Sequence, residues 1–158
     1  MTRWFKLSII ALFIITTIGC GSKEPVKSGE ATKATSKGMS SSQKKAHILV
    51  DKGLIASGKS KYEEAIKLFD EAIAEDKNCY DAYYYKGFIA WGINADTDTA
   101  FVHLNKALKI NPKHIESLVL TASLYDQQGD KATAEKYAKK AASLGSESAK
   151  RYLEKLKR

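Results

Sequence analysis

From residue 46 onward the sequence returns to itself every 34 or 35 residues. Gly53, Gly87 and Ala122 are separated by 34 and 35 positions, and Ala65, Ala100 and Ala134 by 35 and 34. Ala72, Ala107 and Ala141 repeat the second pattern. The mismatch places one inserted residue between Gly87 and Ala100, in the Gly92–Thr99 turn. A period of this length predicts three structural repeats, each of which must stack on its neighbours to bury its apolar face.

Local chemistry marks the boundaries. Ser60-Lys61-Tyr62-Glu63 has the form of a capping box, which predicts that a second helix starts there. Asp130 follows Gly129 and is placed to cap another helix. Gly145 reads as a helix stop and Ser146 as the cap of a last helix, Glu147 to Lys157. That helix carries Ala149, Tyr152, Leu153 and Leu156 on one stripe. Lys150, Arg151, Glu154, Lys155 and Lys157 occupy its other face. One face for the last repeat and one for water is what an end cap needs.

These units resemble the tetratricopeptide repeat. The family's large position near the start of each first helix holds Leu49, Tyr83 and Leu118, and its small position holds Gly53, Gly87 and Ala122. A further core position holds Ala56, Ala90 and Tyr125. In the second helices, Ala65, Ala100 and Ala134 permit close approach, followed by Phe69, Leu104 and Ala138 and then Ala72, Ala107 and Ala141. Pro112 sits at the family's closing proline, with Lys77 and Ser146 in its place elsewhere. The usual Leu before the small position is replaced by Lys52, Lys86 and Thr121. The resemblance implies an all-α fold, a right-handed solenoid of three helix–turn–helix units over residues 43–145, with repeats near 46–79, 80–114 and 115–145, which the last helix would close as a cap over 146–158.

It also implies where a partner binds, because the first helix of each such repeat lines a concave groove. The positions carried over are His47, Val50, Leu54 and Ser57, then Asp81, Tyr84, Phe88 and Trp91, then Glu116, Val119, Ser123 and Asp126. Tyr84, Phe88 and Trp91 are spaced i, i+4, i+7 and form one stripe. On the same helix Tyr83, Gly87 and Ala90 form a second packing face. A helix apolar on both sides is either enclosed or binds something. Some relatives clamp C-terminal carboxylates with Lys, Arg and Asn in the groove, but here those positions are Val50, Leu54, Tyr84, Phe88, Val119 and Ser123. An apolar segment suits this lining better.

Residues 1–20 read as an address. Arg3 and Lys6 precede an apolar run, Leu7 to Ile18, that is too short to span a bilayer, which needs about 20 residues. The run ends in Thr17-Ile18-Gly19-Cys20, which resembles the lipobox of bacterial lipoproteins. That resemblance implies cleavage after residue 19 and a diacylglycerol on the Cys20 thiol, with fatty acylation of the new amine. Two or more chains give stable anchoring where one does not. The absence of Asp beside Gly21-Ser22 would favour the outer membrane in a cell that has one, and the outer face of the cell membrane otherwise.

Residues 20–42 then read as a flexible tether, with Val26 and Met39 its only large apolar residues. Residues 21–45 carry six lysines against Glu24 and Glu30, so most of the net charge of +8 lies before the repeats. This argues against a nucleic-acid reader, whose basic residues cluster on a folded face. One free thiol, Cys79, and scattered His47, His103 and His114 offer no metal site or cofactor. No nucleophile–base set or phosphate loop is apparent, so catalysis and a small-molecule substrate are not expected. The expected role is a lipid-anchored interaction module of the cell envelope that binds an apolar peptide segment. Two alternatives are a pilotin-like assembly lipoprotein for a secretion or pilus machine and a structural, wall-associated lipoprotein.

Overall fold

The structure, a computed structural model, describes residues 38–156. The expected signal peptide 1–19, Cys20 and most of the expected tether lie outside the described residues. Those described form seven helices: α1 (Ser41–Gly58), α2 (Tyr62–Glu75), α3 (Tyr80–Gly92), α4 (Thr97–Ile110), α5 (Ile115–Gln127), α6 (Lys131–Ser143) and α7 (Glu147–Leu156). There is no strand among the described residues. Pairs α1/α2, α3/α4 and α5/α6 are hairpins, stacked through α2 on α3 and α4 on α5, with α7 closing on α6. The inserted residue is found in the α3–α4 connection, which has four residues where the other two hairpins have three. Helix α1 begins two residues before residue 43, the expected start of the repeats, because Ser40 and Gln43 form a reciprocal capping box.

The core is built on the register of small residues. Ala65, Ala72, Ala100, Ala107, Ala134 and Ala141 are fully buried where hairpins meet. Their short side chains let helix backbones approach. Opposite them the chain matches sizes. Phe69 packs over Gly53, and a Cβ at residue 53 would come within 3.0 Å of three ring atoms. Leu104 packs over Gly87, where a Cβ would lie 3.1 Å from its Cγ. The third repeat divides the volume more evenly, with Ala122 and Ala138 in one core cluster.

The turns follow the sequence with one correction. Asp130 accepts from Thr133 N–H at 3.0 Å, and Ser146 Oγ accepts from Ala149 N–H at 3.3 Å. Gly145, at φ +100°, closes α6 with bonds from its N–H to Ala142 C=O and from Ser146 N–H to Ala141 C=O. This is a Schellman stop. The capping box expected at Ser60 does not form. Ser60 has φ +60° and fills the same left-handed stop position after α1, with Lys61 N–H donating to Ala56 C=O. Lys61 becomes the N-cap of α2 and makes no side-chain capping bond to the backbone.

Candidate functional site

The positions expected to line a groove lie on α1, α3 and α5, and α3 supplies the largest of their side chains. Tyr84, Phe88 and Trp91 are all half-buried. Their lower edges pack on a cluster of Ala90, Ala100, Leu104, Leu120 and Leu124. The rings form a continuous row, with centroids 6.3 Å apart for Tyr84–Phe88 and 6.1 Å for Phe88–Trp91. Trp91 Nε1 donates to Gln127 Oε1 at 3.1 Å, which fixes the indole across α5. The stripe is thus neither a sealed core nor a free surface: the three rings are half-buried against that cluster. Burial pushes the Tyr84 hydroxyl well above the usual tyrosine range, so it stays protonated.

The other expected lining residues divide. Leu54 is 37% exposed and His47 is exposed, whereas Ser57 is half-buried. Val50 must be corrected. It is 4% exposed and lies in the first repeat's core, one turn on from fully buried Ala46, so it offers no free side chain. Val119 is half-buried against the third core cluster, and Ser123 Oγ donates back to Val119 C=O at 3.0 Å. Asp126 accepts from Lys131 Nζ at 2.9 Å and from the Tyr152 hydroxyl at 3.0 Å. Those contacts hold its carboxyl below the usual range, the Lys131 bond first. Its main work is to tie α7 to α5.

Sequence reasoning found no Ser/His/Asp set, yet the fold brings one together. His114 Nδ1 is 2.7 Å from Ser117 Oγ, while its Nε2 is 3.4 Å from Asp81 and 3.1 Å from Glu116. Tyr80 and Tyr84 pack on the same ring, at 5.0 and 5.2 Å. The signal was available: Asp81 and Glu116 are equivalent groove positions 35 apart, with His114 just before the second. Ser117 is fully buried in the first turn of α5, so no substrate atom can reach Oγ. The set acts as a strut that joins α3 to α5 beside the aromatic row. Asp81 and Glu116 keep part of their surface open and give this end of the expected groove an acidic rim.

Cys79 is buried, and burial pushes its thiol above the usual range, as suits a small core residue. No cluster of three potential metal ligands occurs among the described residues. No helix among them is long and apolar enough to cross a membrane.

Stacked helical hairpins define a helical-repeat fold. The family model for the tetratricopeptide repeat matches residues 46–79 and 115–144, which are the first and third hairpins, so tetratricopeptide repeats are present on both sides of the hairpin that carries the insertion. Among solved structures, the chain is similar to the first such domain of Spaghetti (RPAP3) bound to the HSP90 peptide SRMEEVD. The TM-score is 0.64 at 19% identity, covering 73% of this chain and 92% of that one. It is also similar to MamA, with a TM-score of 0.58 at 26% identity over 69% of this chain and 63% of that one. A probable biofilm formation methyltransferase, WspC of Pseudomonas putida, is 39% identical over 66 residues, which is 42% of this chain. The match spans only 15% of that relative.

Proposed function

We propose that the chain is a protein–protein interaction module of the bacterial cell envelope, anchored through lipid on Cys20, whose groove takes an apolar segment of a partner. The observation that carries the groove reading is the row Tyr84–Phe88–Trp91, held by packing and by the Trp91–Gln127 bond and only half-buried. Preordered aromatic side chains give large contact area at low entropic cost, and Trp and Tyr dominate binding hot spots. The HSP90 peptide bound by the Spaghetti domain is acidic. Here the groove positions supply Asp81 and Glu116 instead of cations, so the preferred segment is aliphatic and free of carboxylates.

Two tests address the two halves of this reading. Metabolic labelling with an alkyne fatty acid should mark the wild-type chain and not Cys20→Ala; a Cys20→Ala chain that still labels would refute the anchor. For the groove, short peptides can be titrated against Trp4→Phe protein, in which Trp91 is the only tryptophan. Aliphatic peptides should shift its emission and acidic ones should not. Equal response to both, or none to either, contradicts the groove assignment.

A further inference from the structure

Helix α1 carries a second surface, on the open edge of the stack. Lys44, Ile48, Lys52 and Ile55 fall within one face of the helix, Lys59 follows at its C-cap, and all are exposed; Asp51 is the one acid at the edge of this face. Ile48 is 55% and Ile55 60% exposed, high values for aliphatic side chains on a structured helix. The stripe continues onto α2 through a shallow cavity of about 250 Å³ lined by Ile55, Ala56 and Leu68 with Lys52, Lys59 and Lys61 around it. Lys61 is paired with Glu64. Lys44, Lys52 and Lys59 have no ion pair among the described residues.

The repeat shows what this face is in the other hairpins. The positions equivalent to Ile48 hold Ala82 and Ser117, and those equivalent to Ile55 hold Ile89 and Leu124. All four are buried, because α3 and α5 use this face to stack on the preceding hairpin. In α1 no helix precedes it among the described residues. Nor is the face shaped to receive one in the same way. Ile48 replaces the small side chains that let the neighbouring helix approach, and exposed Lys52 stands where Thr121 is fully buried.

We infer that this Lys/Ile face of α1 docks onto an anionic lipid headgroup layer. Lysine is depleted from the cores of protein interfaces, where aromatic residues are enriched, and the stripe has three unpaired lysines and no aromatic. Isoleucines spaced between lysines suit a membrane interface: the aliphatic groups enter the acyl boundary and the ammonium groups stay at the phosphates. A head-to-tail second copy would set this basic face against α7, whose Glu147 pairs with Lys150 and whose Arg151 and Lys155 outnumber Glu154, so it offers no acidic counterpart. The inference is independent of lipid on Cys20. An acyl anchor holds to neutral and anionic bilayers alike, whereas this face responds to headgroup charge.

The test places an environment-sensitive fluorescent amino acid at position 55 of the full chain, with position 102 as control. Val102, on α4, is 67% exposed and lies off the stripe. Vesicles of phosphatidylcholine alone are compared with vesicles in which about a third is phosphatidylglycerol. A blue shift at 55 and not at 102, only on anionic vesicles, is expected. Lys52→Glu with Lys59→Glu should lower the bound fraction's affinity by about tenfold or more while circular dichroism stays unchanged. No shift at 55, an equal shift at both sites, or an equal shift on neutral vesicles would overturn the inference. So would photo-crosslinking from position 55 in cells that captures a protein and no lipid.

Discussion

The ring of Phe69 rests on the backbone of Gly53, and a methyl group at residue 53 would fall within 3.0 Å of three of its atoms. Phe69 is 1% exposed and is enclosed by the first repeat's core, so the ring has nowhere to move. Gly53→Ala should therefore destabilise the domain by about 1–3 kcal/mol through overpacking, despite alanine's better helix propensity. The second repeat pairs Gly87 with the smaller Leu104. Phe69→Leu should accordingly relieve part of the Gly53→Ala penalty, and a double-mutant cycle in urea should show the coupling. Additive losses would mean that the two sites are not matched.

Ser60 occupies a left-handed position that glycine fills after α5 and α6. An L side chain there costs about 1–2 kcal/mol. Ser60→Gly should stabilise the domain by up to about 1 kcal/mol, since glycine gains in the unfolded chain part of what the strain releases. A lower urea midpoint for this variant would contradict the geometry.

His114 joins α3 to α5 through Asp81, Glu116 and Ser117. His114→Ala should cost about 1–3 kcal/mol, because it leaves the fully buried Ser117 hydroxyl unpaired. His114→Ala combined with Ser117→Ala should recover part of that loss. Failure to recover would show that the ring's packing on Tyr80 and Tyr84, and not its bond to Ser117, carries the strut.

The Asp126–Tyr152 bond fastens the capping helix. The Asp126 carboxyl is held below its ordinary value of 3.8, first by the Lys131 bond. A depressed carboxyl contributes stability that is full above its unfolded value and is lost as pH falls through the folded value. Protection of the α7 amides, taken relative to their intrinsic exchange at each pH, should therefore hold from neutral pH to about 4 and fall below it. In Asp126→Asn this acid step should be absent; an unchanged step would place its origin elsewhere.

How much of this was legible in the sequence depended on whether a residue acts within its own repeat or between repeats. The Gly and Ala intervals placed all three hairpins and the insertion, because close helix approach demands small side chains at fixed spacing. Asp130, Gly145 and Ser146 act over three to five residues and were read correctly. Ser60 was misread because one residue cannot be both the left-handed stop of α1 and the extended cap of α2, and the stop prevailed. Val50 was carried over as groove lining, yet it turns into the first core. The Asp81–His114–Ser117 strut went unseen because its members meet only when the second and third hairpins stack. The exposure of Ile48 and Ile55 was also hidden, since the same positions are buried in the repeats that follow.

The aromatic row sits between core and surface, and its energetics should show it. Phe88→Ala with Trp91→Ala should leave a helical domain that is less stable by about 2–4 kcal/mol for the pair, well short of the roughly 3–5 kcal/mol that each fully buried ring costs. A loss of the larger size would mark these rings as core.

The most direct measurement is in-cell photo-crosslinking from a probe at position 88, analysed by mass spectrometry, with a second probe at position 140 on the exposed face of α6. The groove account predicts one dominant envelope protein captured at 88 and not at 140, with the crosslink mapping to an aliphatic segment of that protein. The same products from both positions, or self-crosslinks alone at 88, would contradict it.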